Sequence, residues 1–359
     1  PHSLNANCMK IKSLFLLFLV AAACSPAKSA DKRKTEHKSS VASEQSVEDS
    51  EEIVNDYQAN MVSYVFNLVD LKDIHEKDLA FVPVTDVIQL SDHKDSLLTP
   101  ALHNSSDYIA LTGKLRARFL KRSGYTENDS IFVYNLENDK LVRVAVKDAE
   151  VAAVLNAYSR TNDCPCDQYL YMFGFTMPRS LFAEFPEHFR NSFVDLGQQN
   201  RFVPGGMKAI HWEKISNDQF PFSKSSRQAE VRALRPQKVA KKYSAAYEID
   251  GYKIFVQDYI ESLDVMHVDF RHVMIVDVKT NTIVKDMLME SSEGVNPAPL
   301  NGGLSYDEWT DYGSQFAGQL LTGFSSVIFG FENFSFGGDA FYFMAEDDKF
   351  IAFHTDSRH

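Results

Sequence analysis

Apolar and polar positions follow one another along most of this chain with the short period of strands. Ile131 to Leu136 and Leu141 to Val146 are two apolar-rich arms around Glu137-Asn138-Asp139-Lys140, which predicts a β-hairpin. Tyr247 to Val256 carries Asp250-Gly251 between two further arms, a strong signal for a two-residue turn. Val265 to Val278 and Thr282 to Met289 flank a third turn at Lys279-Thr280-Asn281. In Ile109 to Phe119 the odd positions are Ile, Leu, Gly, Leu, Ala and Phe and the even ones largely polar, so a half-buried strand is predicted there. Tyr169 to Phe175, Val327 to Phe331, Ala340 to Met344 and Phe350 to Phe353 also read as strands.

Helical spacing is rarer. Ile53, Tyr57, Met61, Tyr64, Val65 and Leu68 recur at three and four, which predicts a helix. Asp148 to Tyr158 reads as a short helix. Ser305 and Glu308 form a capping-box pattern that opens a helix carrying Trp309, Tyr312, Phe316 and Leu320 on one side. The fold class expected from these elements is α+β, antiparallel and strand-rich.

Two stretches match in pattern. Ile131 to Arg143 and Val273 to Lys285 each have four largely apolar residues, a turn, then an apolar pair and a base. Each is followed by a helix candidate and then by a Phe-Gly-Phe, at Phe173-Gly174-Phe175 and Phe329-Gly330-Phe331. This suggests two related units in tandem, against the simpler reading that antiparallel hairpins resemble one another. The expected units are residues 53–223 and 243–359. Between them, Lys224 to Lys242 holds seven basic residues and one acid. A solvated basic linker is the plainer reading of that stretch, and a patch for phosphate, lipid headgroups or an acidic partner is the other.

The amino-terminal region has a different character. Lys10 and Lys12 precede a ten-residue apolar run from Leu14 to Ala23 that ends at Cys24. A helical membrane span needs about 20 apolar residues, so the run is short for one and fits a secretory signal peptide. Ala21-Ala22-Ala23-Cys24 resembles the lipobox of bacterial lipoproteins, which prefers Leu where this chain has Ala21. The resemblance implies cleavage before Cys24 and lipidation of that residue, with residues 9–23 as the signal peptide. Ordinary secretion, with cleavage after an A-x-A site, is the alternative. Residues 1–8 are read as lying upstream of the natural start at Met9. Residues 24–52 are polar, mixed in charge and nearly free of large apolar side chains, and are expected to form a disordered, lipid-anchored tether. Ser25 follows the lipid cysteine. In lipoprotein sorting the absence of Asp there implies the outer membrane, here with the body facing the periplasm.

Charge narrows the partners. The 359-residue chain carries a formal charge of −12, and removing residues 1–24, with two Lys and no acid, takes this to −14. That balance argues against non-specific nucleic-acid binding and against wide contact with anionic headgroups. With 27 Phe and two Trp, the aromatic content reads first as core.

Three groups of residues remain as candidate chemistry. Cys164-Pro165-Cys166 is a local disulfide or an inert thiol pair, with a redox pair or half of a soft-metal site as the functional reading. His267-Val268-Asp269-Phe270-Arg271-His272 is the densest ligand-like run. On a strand His267 and Asp269 share a face and His272 takes the other, so only a bulge brings the three together as a Zn or Fe(II) site. The plainer reading is a polar strand face with a satisfied histidine. Acidic residues at turns and helix starts show no catalytic spacing. The function expected is a non-enzymatic binding or structural protein of the cell envelope, with an unknown protein or small-molecule partner. The alternative is a metal-assisted envelope hydrolase using His267, Asp269 and His272.

Overall fold

The computed structural model describes residues 62–72, 77–85, 88–89, 107–155, 170–221, 241–260, 268–302, 314–334, 340–346 and 349–354. The chain divides into two units, residues 1–50 and 51–359, and every described residue belongs to the second. In chain order the strands are β1 (Val62–Asn67), β2 (Val69–Asp70), β3 (Leu79–Pro83), β4 (Ile88–Gln89), β5 (Tyr108–Ala110), β6 (Ser130–Asn135), β7 (Lys140–Ala145), β8 (Glu150–Leu155), β9 (Leu170–Pro178), β10 (Ser192–Gly197) and β11 (Met207–Ala209). They continue with β12 (Glu213–Ile215), β13 (Lys241–Ile249), β14 (Tyr252–Ile260), β15 (Phe270–Asp277), β16 (Thr282–Glu290), β17 (Val295–Pro297), β18 (Phe316–Gly318), β19 (Val327–Phe329), β20 (Glu332–Phe334), β21 (Tyr342–Phe343) and β22 (Phe350–His354). A helix, α1 (Lys114–Ser123), lies between β5 and β6. The fold is strand-rich α+β with antiparallel sheets, as its hydrophobic pattern indicates.

Four larger sheets have the orders β2-β3-β9-β8-β5, β22-β1-β10-β6-β7, β11-β18-β19-β21 and β12-β13-β14-β15-β16; β4 adds to β9, and β17 pairs β20. Strand alternation makes them layers. Ile131 and Val133 of β6 face one core with Val151 and Ala153 of β8 and Phe173 and Phe175 of β9, closed at one end by Phe119 and Leu120 of α1. Phe132 and Tyr134 of β6 face a second core with Phe316 of β18 and Phe329 of β19. Ala317 and Ile328, on the reverse of those two strands, face a third core with Val256 of β14 and Val273 of β15. The two middle sheets are thus covered on both faces. The phenylalanines fill these spaces: the Phe193 ring meets those of Phe329, Phe341 and Phe353 at centroid distances of 5.0, 5.1 and 5.3 Å, all in edge geometry.

The three sequence-predicted hairpins form as β6–β7, β13–β14 and β15–β16. Asp250 (φ 52°) and Gly251 (φ 79°) both occupy the left-handed region that a tight two-residue hairpin turn requires. The strand expectations at 169–175, 327–331, 340–344 and 350–353 correspond to β9, β19, β21 and β22.

Several expectations are corrected. Residues 62–67 form β1, not the end of a helix, because pairing with β10 and β22 overrides the spacing. Ile109 to Phe119 is only briefly a strand. It leaves β5 at Ala110, turns at Gly113 and continues as α1. Of Asp148 to Tyr158, Asp148 ends a 3₁₀ turn (Val146–Asp148) and Glu150 to Leu155 form β8, a strand buried on both faces, while residues 156–158 lie outside the described residues. Phe316 lies in β18 and Leu320 is buried beyond it, so the helix expected from Ser305 does not extend through them; residues 303–313 of that helix lie outside the described residues.

The division into 53–223 and 243–359 is also corrected. β1 pairs β22, β11 pairs β18 and β12 pairs β13, so the sheets draw strands from both sides of the basic segment. Lys241 and Lys242 of that segment belong to β13, and the rest of it lies outside the described residues. Among the described residues the tandem repeat has no counterpart in strand order. β6 sits between β7 and the later β10, whereas β15 sits between β16 and the earlier β14. The two Phe-Gly-Phe segments differ as well. Gly174 lies mid-strand, where a Cβ would be 1.9 Å from the Val82 carbonyl oxygen, whereas Gly330 follows β19 with φ of 77°.

Candidate functional site

The densest ligand-like run opens β15, and the register of that strand decides what it can do. Opposite β14, Arg271 faces Asp258 and His272 faces Gln257; opposite β16, His272 faces Leu288. The pairing is continuous from Phe270 to Ile275, and the one irregularity falls between Ile275 and Val276. Asp269 precedes that strand, and its N–H donates to the Tyr259 carbonyl oxygen at 3.0 Å, out of step with the register that pairs Tyr259 with Phe270. Among the described residues no group of three or more His, Cys, Asp and Glu side chains is arranged to hold a metal ion. His267, Cys24, Cys164 and Cys166 lie outside the described residues.

His272 is buried, and its Nε2 lies 2.7 Å from Oδ1 of Asp286 on β16. Phe220 covers the imidazole, with ring centroids 5.1 Å apart, and also meets Phe255 of β14 at 6.5 Å. Phe220 is positioned by the short 3₁₀ turn Asn217–Gln219, whose Ser216 and Gln219 form a capping box. On the same face a buried chain of hydrogen bonds crosses two strands. Tyr259 donates its hydroxyl to Gln257 Oε1; Gln257 Nε2 donates to Ser244 Oγ at 2.9 Å; Ser244 Oγ donates to Asn217 Oδ1 at 2.9 Å. Burial pushes the Tyr259 phenol up to about 12.

On the opposite face the Arg271 guanidinium forms two parallel bonds to the Asp258 carboxylate, Nε to Oδ1 at 2.7 Å and Nη2 to Oδ2 at 2.8 Å. Its Nη1 donates to the Phe331 carbonyl oxygen at 3.1 Å. Both side chains are fully buried. A buried ion pair holds only with such geometry and with its remaining donors used, because desolvating two charges costs several kcal/mol per ion.

Two more polar clusters brace the layers. Gln315 Oε1 accepts from the Trp212 indole at 2.7 Å and from the Asn301 backbone N–H at 3.1 Å, and Asn301 Nδ2 donates to the carbonyls of Ile210 and Gln315. Asp195, fully buried on β10, receives the Arg201 guanidinium, which also reaches Ser63 of β1. Burial, aided by the Asp195 charge, raises the neighbouring Tyr125 phenol to about 12.

Asp258, Arg271, Gln257, Ser244 and Asp286 were not singled out by motif. The available signal was compositional: charged and amide residues inside otherwise apolar strands, as in Ile254 to Ile260 and Phe270 to Val276. Such residues persist inside a core only when paired. Compared with known proteins, the chain matches no protein-family model, no curated protein and no solved structure.

Proposed function

We propose that this chain is a lipoprotein of a Gram-negative-type envelope, held in the outer membrane through Cys24, whose body serves as a binding or structural element rather than as an enzyme. The observation that carries the reading is the use made of Arg271 and His272. Both lie in the segment richest in chemistry, and both are spent within the fold, on Asp258 and on Asp286 beneath Phe220. Groups saturated in this way stiffen a scaffold and are not available to a substrate. The lipobox resemblance at Ala21 to Cys24 supports the anchor, since two or more acyl chains hold a protein stably at a bilayer.

Mass spectrometry of the exported protein tests both the anchor and the non-enzymatic body. The expected result is an amino-terminal peptide that begins at an acylated Cys24, and release of the protein from membranes on Cys24→Ser. An amino terminus other than Cys24 would end the anchor reading. A stoichiometric metal that is lost on changing Asp269 would end the non-enzymatic one.

A further inference from the structure

We propose that Asn301-Gly302 is a latent deamidation site that folding holds shut, and that its conversion in an unfolded chain closes the way back to the native state. This is the one place in the 359-residue sequence where Gly follows Asn. That order favours attack of a backbone nitrogen on the preceding side-chain amide, because Gly puts no Cβ in the way. The Gly302 nitrogen gives up its proton and bonds to Cγ of Asn301. The Cγ–Nδ2 bond breaks, and Nδ2 takes up a proton and leaves as ammonia. Water then opens the succinimide ring at either carbonyl, which leaves an aspartate or an isoaspartate at position 301. Water is the co-reactant, and nothing is oxidised or reduced.

In the native fold Asn301 is buried and both polar atoms of its side chain are engaged. Oδ1 accepts from the backbone N–H of Ser314 at 3.1 Å and of Gln315 at 3.2 Å. Nδ2 donates to the carbonyl oxygens of Ile210 at 3.0 Å and Gln315 at 2.9 Å. Ring closure requires Cγ to turn towards the Gly302 nitrogen, and that turn breaks these bonds away from bulk water. Unfolding removes them all at once. The product cannot restore them. A carboxylate still accepts from Ser314 and Gln315, but it turns an oxygen towards the Ile210 and Gln315 carbonyls where the amide turned a donor. A buried charge facing two acceptors lowers the folding equilibrium constant by about tenfold or more. The isoaspartyl product also lengthens the main chain by a methylene, beside a Gly302 held at φ of 80°. Asn301 ties the segment after β11, through Ile210, to Gln315 just before β18, and β11 and β18 are paired. The fold thus needs an amide at 301 and favours Gly at 302, the pair that chemistry makes fragile.

The test holds the full-length chain unfolded in urea at mildly alkaline pH for increasing times, dilutes it to refold, and separates native from misfolded material by size. Peptide mass spectrometry reads amide against acid at position 301 in each fraction, and a parallel sample kept native is read at the same times. The expected result is conversion in the unfolded sample, severalfold less in the native one, and severalfold enrichment of the acid in the misfolded fraction. Gly302→Ala adds a Cβ that meets nothing within 4 Å in the fold but hinders the attack, so its unfolded chain is expected to convert severalfold more slowly. That rate is read in urea, so the variant reports even if its left-handed φ weakens folding. Equal conversion in the native and unfolded samples would overturn the protection by the fold. Equal acid content in the native and misfolded fractions would overturn the block on return. Equal rates for the parent and Gly302→Ala would overturn the assignment to this pair. Asn301→Asp is expected to lower the urea midpoint or to prevent folding, and a midpoint equal to the parent's would overturn the proposal as well.

Discussion

Asp258 and Arg271 stand directly opposite each other on β14 and β15 and share two parallel hydrogen bonds with no solvent contact. Removing one partner leaves a bare charge in the core. Arg271→Met is expected to destabilise the protein by about 3–5 kcal/mol, and the double variant Arg271→Met with Asp258→Leu to recover much of that loss. Urea denaturation of the three proteins checks this. A double variant no better than the single one would mean that the pair is integral to the packing and does more than neutralise itself.

Close approach of backbones makes a second prediction. A Cβ at Gly174 would lie 1.9 Å from the Val82 carbonyl oxygen, across the β3–β9 pair, so Gly174→Ala must push these buried strands apart. The expected loss is about 1–3 kcal/mol or more. At Gly197 in β10 nothing lies within 4 Å and φ is not positive. Gly197→Ala is therefore expected to be neutral or to stabilise by about 0.4–1 kcal/mol. Thermal unfolding of the pair measures the contrast.

Arg116 separates the structural from the exposed cations of α1. It fastens the helix to the 3₁₀ turn through Val146 and Ala149, and its hydrogen bond, aided by its charge, holds the Glu127 carboxyl below the usual range. Arg116→Met is expected to cost about 1.5–3 kcal/mol. Lys114→Gln should fall within about 0.5 kcal/mol of the parent. Chemical denaturation of the single variants gives the comparison.

Alkaline pH supplies a fourth. The buried Tyr259 phenol titrates at about 12, against about 10 in an unfolded chain. Above pH 10 the unfolded state loses this proton while the native state keeps it. The contribution is therefore whole below about pH 10 and is lost as pH rises towards 12. Urea midpoints measured across that window should decline less steeply in Tyr259→Phe than in the parent. Equal slopes would place the alkaline sensitivity elsewhere.

What was legible in the sequence was local. Asp250-Gly251 announces its hairpin because few residues tolerate two consecutive left-handed conformations. What was missed depends on partners remote in sequence. Glu150 to Leu155 reads as helix from its alanines and lack of alternation, yet it is a central strand. Val151, Ala153 and Leu155 face one core while Ala152 and Val154 face another. Burial on both faces erases the period that reveals a strand.

Ile109 to Phe119 fails differently. The residues Leu115, Ala117 and Phe119 satisfy period two by coincidence, and Gly113 at φ 55° turns the chain into α1. The candidate site was legible only in composition. The fate of His272 was set by Asp286, Gln257 and Phe220, which only strand register and a distant turn bring near.

The parallel pairing of β1 with β22 joins Val62 to Phe350, a separation of 350 − 62 = 288 residues. A growing polypeptide that has reached β21 has still not received the strand that completes this sheet. Val65 and Ile351, which share the second core, meet only after the intervening strands have been made. Topology of this kind delays folding, because a large loop must close before any contact rewards it. Under the lipoprotein reading proposed above the delay is useful: it keeps the polypeptide threadable through a translocation channel and postpones assembly of the layers until the far side is reached.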